Sequence, residues 1–313
     1  MKKVSAIGEF GLISRIQKKV RIGKNVILGI GDDAAVLKIG QHEQLLSTDL
    51  LVENVDFTFR SAKPEEVGRK ALAVNLSDIA AMGGRPEAVV IGLAIPKSAS
   101  LSQVDRFHRG FIKLANQFKV SVVGGDLSRG PCWMIAVTIL GTLPSGKPVL
   151  RKGIRPGDLI CVTGNLGGSI IKKHLLFNPR VLEGEFLGRF DVHAMIDVSD
   201  GLVQDLKHML CASNVAARIW LDQIPISKDA IRLSRNQHSK ALVCALTDGE
   251  DFELLFSVSK NQWNRLKTKW QKHFRVPIHA IGMAVSGKSE VSFWRNGSQI
   301  KFQLPRKGYE HFA

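Results

Sequence analysis

The chain has 313 residues, 44% hydrophobic and 23% charged, which suits two globular domains and excludes collagenous and low-complexity classes. Its net charge of +16 raises nucleic acid as a partner, but the basic residues are scattered, in nothing longer than pairs such as Lys18-Lys19 and Lys172-Lys173 apart from a loose stretch over 267–272. A single tyrosine and no aromatic-and-basic ladder point to a solvated basic surface that also attracts phosphate-bearing substrates, not to a specific nucleic-acid partner. No apolar run approaches the roughly 18 residues that cross a bilayer, and charges interrupt the N-terminal segment before signal-peptide length, so a cytoplasmic protein with no membrane partner is expected. The cysteines at 132, 161, 211 and 244 share no paired spacing and are expected to be buried free thiols.

In chain order, residues 26–30 predict a short buried strand stopped by Gly31-Asp32-Asp33. Leu45-Leu46 leads through Ser47-Thr48-Asp49 into Leu50-Leu51-Val52. Pro64, with Glu65 and Glu66 behind it, opens a helix that Gly83-Gly84 close, and on it Asn75 and Asp78 share a face. A strand over 91–95, an amphipathic helix over 101–118, a strand over 120–123 running into Gly124-Gly125-Asp126, and a strand over 134–140 complete the first half. Glycine and proline crowd residues 143–168, placing a boundary near residue 150 and two domains at 1–150 and 151–313. The second half offers strands over 159–162, 194–198 and 254–256, a turn at 164–169, and a helix from the Ser199-Asp200-Gly201 break through Leu210. Strands alternate with helices in both halves, so the class is mixed α and β (α+β).

The carboxylates carry the chemistry. Of sixteen aspartates, eight (Asp32, Asp33, Asp49, Asp78, Asp126, Asp197, Asp200 and Asp251) fall in short segments rich in glycine, serine or threonine. Five times a buried strand or helix is expected to deliver an aspartate into a small-residue break: at 31–33, 47–49, 75–78, 124–126 and 197–200. Hard divalent cations take carboxylate oxygens, and small neighbours admit phosphates and backbone N–H groups. The helix opening at Ser199-Asp200-Gly201 can bind an anion or be capped by Ser199 or Asp200. Together these describe a nucleoside-triphosphate site held by several Mg2+ ions, in a chain with neither a lysine-centred phosphate loop nor a protein-kinase catalytic loop.

The segments GIGDDAAVL (29–37), STDLLVENVDF (47–57), NLSDIAAMGG (75–84), VVGGDLSRGP (122–131), IDVSDGL (196–202), DGEDFEL (248–254) and KGYEHF (307–312) resemble, in order and spacing, the motif set of the thiamine-monophosphate kinase family. That resemblance implies a two-domain fold like aminoimidazole-ribonucleotide synthetase, with N-terminal sheets paired across a homodimer. It implies ATP and thiamine monophosphate as substrates and thiamine diphosphate as product. It assigns Asp33, Ser47, Thr48, Asp49, Asp78, Asp126, Asp197 and Asp200 to metal, Gly125, Asp126, Arg151 and Ser199 to ATP, and Glu250 to the thiamine substrate. The chain departs from the motif set at Asp56, where many members have a substrate-contacting histidine, and at His108, in place of a frequent tyrosine near the nucleotide. Arg306 stands where an aromatic residue often covers the substrate, with Tyr309 close by, and the stretch between Ser169 and His174 is short. Asp248 stands where a glycine is common. The rivals are a ring-closing aminoimidazole-ribonucleotide synthetase and a selenophosphate synthetase. The latter needs a reactive N-terminal cysteine, and the first cysteine here is Cys132.

Overall fold

The computed structural model describes residues 3–305, 308 and 309, so Arg306 lies outside the described residues. The first half carries β1 (Val26–Leu28), β2 (Ala35–Ile39), β3 (His42–Val52), β4 (Arg85–Ile95), β5 (Ser121–Arg129) and β6 (Met134–Thr142). These form one six-stranded sheet in the order β1-β2-β3-β6-β4-β5. Only β4 and β5 are parallel, as a helical crossover between them demands. Three helices accompany the sheet: α1 (Gly8–Gln17), α2 (Pro64–Ala81) and α3 (Leu101–Phe118).

The second half contributes β7 (Asp158–Thr163), α4 (Lys173–Leu176), α5 (Val181–Gly188), β8 (Val192–Asp197), α6 (Leu202–Ser213) and β9 (Ala216–Trp220). It continues through α7 (Lys228–Leu233), α8 (His238–Thr247), β10 (Leu254–Ser259), α9 (Lys260–His273), β11 (Ile278–Val285), β12 (Val291–Arg295) and β13 (Ser298–Ile300). Its seven strands run in the order β13-β12-β9-β11-β7-β10-β8, antiparallel except for the β12–β9 pair. No described helix is long and apolar enough to cross a membrane.

The expected helices over 64–82 and 101–118 are present almost to the residue. Pro64 starts α2, where its missing N–H costs nothing, and the Lys63 N–H donates to the Glu66 carboxylate. Ser100 caps α3 by accepting from the Gln103 N–H at 3.2 Å. Two expected breaks are not breaks. Asp49 lies inside β3 and Gly124-Gly125-Asp126 inside β5, whose nine residues are all exposed, whereas Asp78 lies within α2 as the predicted helix places it. The strand at 120–123 is thus the start of a longer edge strand, and glycine there thins it without ending it. Only Cys161 is a buried thiol; Cys132 and Cys244 are partly buried and Cys211 is exposed, because three of the four sit on partly open surfaces of their elements.

Nearly all of α2 is buried, on every face, so the helix is central and not a surface stripe. One core joins its apolar residues to both sheets, and α4, α5 and β8 of the second half pack against it. Arg69 donates to the Phe177 carbonyl at 2.7 Å, and Arg85 grips Glu185 at 2.6 and 3.0 Å, tying the halves together. A second core lies on the far face of the seven-stranded sheet under α6 and α8.

The closest helix contact is α2 on α3. A Cβ at Gly68 would stand 2.0 Å from the Phe107 carbonyl oxygen, and one at Gly110 would stand 1.9 Å from that of Glu65. Neither backbone can retreat without opening the core around α2. Gly110→Ala should therefore destabilise the protein by about 2 kcal/mol or more, even though alanine gains roughly 1 kcal/mol in helix propensity. Chemical denaturation checks this, and an unchanged or raised stability would contradict the packing argument.

Candidate functional site

Four segments distant in sequence deliver carboxylates to one pocket. Asp33 comes from the turn after β1, Asp49 from β3, Asp78 from α2 and Asp197 from the end of β8. Asp33, Asp78 and Asp197 each offer an oxygen within 4.8 Å of the others. Asp49 is close enough that its charge raises the pKa of both Asp78 and Asp197.

Small polar side chains hold this group. The Ser47 hydroxyl donates to Asp78 Oδ2 at 2.5 Å and the Ser77 hydroxyl to Asp197 Oδ2 at 2.6 Å. Asn75 Oδ1 accepts from the Asp49 N–H at 3.2 Å while its amide donates to the Ala71 carbonyl. Arg151 donates to Asp33 Oδ1 through Nη2 at 2.6 Å and Nε at 3.3 Å, and its backbone N–H reaches Asp32. That leaves buried Asp33 Oδ2 and Asp49 Oδ2 with no hydrogen-bond partner.

Electrostatics follow from this crowding. Burial, then repulsion from Asp33, pushes Asp197 up to about 8 against the hydroxyl of Ser77. Burial, then Asp33 and Asp56, raises Asp49 to about 6, and burial with its neighbour Asp33 raises Asp32 to about 7. Asp78 is driven well above the usual carboxylate range by burial and by Asp49, Asp197 and Asp33. Burial also raises Asp33, against the nearby Arg151 guanidinium, whose own pKa those carboxylates raise. Hard carboxylate oxygens, two of them buried and unpaired, are what a divalent cation with oxygen ligands fits.

Other expected residues fall elsewhere. Strand alternation turns Thr48 and Asp126 to the sheet face opposite Ser47 and Asp49. The Thr48 hydroxyl donates to the Val137 carbonyl, and Asp126 lies on edge strand β5, about three strand spacings or 14 Å from β3. Gly125 lies on that same edge strand beside Ile91. His108 bonds the Val104 carbonyl on α3, next to the Gly68 end of α2, roughly ten residues or 15 Å of helix from Asp78. Within the described chain, the side chains of Thr48, Asp126 and His108 and residue Gly125 are not brought into the carboxylate pocket.

Asp200 belongs to a second group with Asp205 and His208 on α6. Neither Ser199 nor Asp200 caps that helix. Asp205 instead accepts from the N–H groups of Asp200 and Gly201 at 3.1 and 3.0 Å, one turn back. Ser199 holds the loop after α8 through its carbonyl, which accepts from the Glu250 N–H at 2.6 Å.

Asp56, Glu250 and Tyr309 lie near one another, the first two joined through Lys70. The phenol of Tyr309 is pushed up by burial and then by Asp56 and Glu250. Asp56 uses Oδ2 to accept from the Val52 N–H at 2.7 Å, closing the turn after β3. Asp248 accepts from the Gly168 N–H at 2.9 Å, Asp251 from the Gly167 N–H at 2.6 Å, and the Ser169 hydroxyl donates to the Gly249 carbonyl. Asp251 is therefore a structural acceptor, and Asp248 has a reason to replace glycine. Sequence reasoning missed Ser77 and Lys70 as members of these groups, and counted Asp32 among the candidate carboxylates without giving it a site role. Ser77 and Lys70 had a signal, as polar residues within the apolar run of α2.

The AIR synthase related protein N-terminal domain model matches residues 31–143, and its C-terminal counterpart matches 155–295. Thiamine-monophosphate kinase of Escherichia coli (strain K12) is 38% identical over 98% of this chain and 99% of its own length. That of Buchnera aphidicola subsp. Schizaphis graminum is 37% identical over 97% and 98%. The chain belongs to the AIR synthase related family and, within it, to the thiamine-monophosphate kinases. A solved structure of AaThiL complexed with AMPPCP and TMP covers 99% of both chains, with a TM-score of 0.85 at 31% identity. That structure shares this fold over nearly the whole of both chains.

The raised carboxylates have a consequence for stability. A carboxyl group whose folded pKa lies above 3.8 favours folding when protonated, and that advantage is lost as pH rises through the folded value. In EDTA the melting temperature should fall between about pH 5 and 8.5. Asp197→Asn should flatten that fall. Thermal melts check this, and a melting temperature that rises over the same interval would contradict it.

Proposed function

We propose that this thiamine-monophosphate kinase moves the γ-phosphoryl group of ATP directly onto the phosphate of thiamine monophosphate, giving thiamine diphosphate and ADP. The convergence of Asp33, Asp49, Asp78 and Asp197, with two buried oxygens left unpaired, carries this reading. Asp33, Asp49, Asp78 and Asp197 would hold Mg2+ there, which would supply positive charge against that spread over the transferred phosphoryl group. Arg151 has five N–H donors, of which Asp33 takes two, and the rest remain for phosphate oxygens. Ser47, Asn75 and Ser77 fix the carboxylates in place, so the protein's part is positioning and electrostatics. The attacking oxygen is already anionic at neutral pH, and no general base is needed to create it. The location we assign is the cytoplasm, where ATP is supplied.

Gly125, Asp126, Ser199 and His108 remain assigned to ATP, and Asp126, Thr48 and Asp200 to further metal, on family resemblance. Asp56, Glu250, Arg306 and Tyr309 are assigned to the thiamine end. We further propose a homodimer. The outward face of the six-stranded sheet is apolar and uncovered, with Leu50 54% and Val90 40% exposed, and β5 ends the sheet as an open edge. A second copy of the same face covers both features with matching chemistry and removes the edge.

An ATP-coupled assay comparing thiamine monophosphate, free thiamine and the aminoimidazole-ribonucleotide precursor should show turnover with the first alone. Asp78→Asn and Asp197→Asn should each lower kcat by about 100-fold or more with the fold retained, since an amide is a poor ligand for a hard cation. Near-normal turnover in either variant at saturating Mg2+ and ATP would overturn the carboxylate assignment. Light scattering should give twice the chain mass of 34.4 kDa, and Leu50→Lys on the outward face should shift it toward the monomer. A wild-type monomer at micromolar concentration would reject the dimer.

A further inference from the structure

Lys70 is the one fully buried lysine side chain among the described ion pairs, and it sits on α2 two turns before Asp78. Its ammonium donates to Glu250 Oε1 and, at 2.7 Å, to the Asp56 carbonyl oxygen. Burying an ammonium costs several kcal/mol, and an apolar side chain of similar volume often stabilises a fold as well or better. Stability alone is thus a poor reason for a lysine here.

Its partner shows what the charge is for. Glu250 keeps 36% of its side chain exposed, and Oε2 makes no hydrogen bond among the described residues. The backbone of Glu250 does not depend on Lys70. Residue 250 sits at φ +62 with its N–H on the Ser199 carbonyl, in a loop held by the three bonds from Asp248, Gly249 and Asp251 to residues 167–169. What Lys70 adds is the aim of the carboxylate. It draws Oε1 inward and leaves Oε2 on the partly exposed side of the group, with Asp56 and Tyr309 close enough for their charges and phenol to interact.

The spacing on α2 completes the argument. Lys70 and Asp78 are eight residues apart, about 12 Å along one helix. A two-ring phosphomonoester can span that distance with its phosphate at the carboxylate pocket and its ring end at Glu250. We propose that Lys70 is a positioning residue for the ring half of thiamine monophosphate, acting through Glu250, an inference that rests on the kinase reading above.

The test compares wild type, Lys70→Met, Lys70→Gln, Glu250→Gln and the Lys70→Met/Glu250→Gln double variant, with thermal melts beside the kinetics. KM for thiamine monophosphate should rise about tenfold or more in Lys70→Met and Glu250→Gln, with kcat and KM for ATP within about twofold. The double variant should be no worse than the worse single one, because both changes remove the same aimed carboxylate. Lys70→Gln, which keeps a donor, should fall between wild type and Lys70→Met. A thiamine monophosphate KM within twofold of wild type in Lys70→Met would overturn the proposal. So would a matching rise in the ATP KM, multiplied effects in the double variant, or loss of the fold in both Lys70 variants. Wild-type protein inert on thiamine monophosphate would instead overturn the kinase reading, before any variant is compared.

Discussion

Four carboxylates share one largely buried pocket with a single guanidinium. Repulsion among Asp33, Asp49, Asp78 and Asp197 is not cancelled by Arg151, and the hydroxyls of Ser47 and Ser77 neutralise nothing; they only fix direction. Such a group persists only where the surrounding structure over-determines it, and here two cores and a central helix do so. The same crowding that costs stability makes the pocket attractive to hard cations, so the strain and the chemistry have one origin.

That central helix is the ruler of the molecule. α2 holds Asp78 against β3 and β8, and two turns earlier it carries Lys70 to the loop after α8. Its spacing is rigid because the helix is buried on all faces and seated on α3 through two glycines with no room for a Cβ. Parts of both halves pack directly on it, through Arg69 to Phe177 and through α5. A change in how those halves meet would therefore move both ends of the site together.

The six-stranded sheet divides a single motif between two faces. Ser47 and Asp49 look inward to the pocket while Thr48 and Leu50 look outward, since side chains alternate along β3. The outward face, with Asp126 at its edge, is the surface that a paired copy covers in the proposed dimer. Metal chemistry and assembly thus draw on neighbouring residues of the same strand.

From the sequence alone, the mixed α and β class, the α2 and α3 spans, and the concentration of aspartates among small residues were all legible, because each depends on local periodicity and caps. Membership in the kinase family was legible for a different reason: the motifs keep their order and spacing along the whole chain. Which aspartates meet was not. Asp33, Asp49, Asp78 and Asp197 converge because β3, α2 and β8 pack together, whereas the equally motif-like Asp126 sits on an exposed edge and Asp251 serves a turn. Lys70 drew no notice in the sequence, since a lysine in a helix is ordinarily solvated. Only the packing of α2 between two sheets strips it of water and pairs it with a residue 180 positions away, a long-range contact that no local pattern encodes.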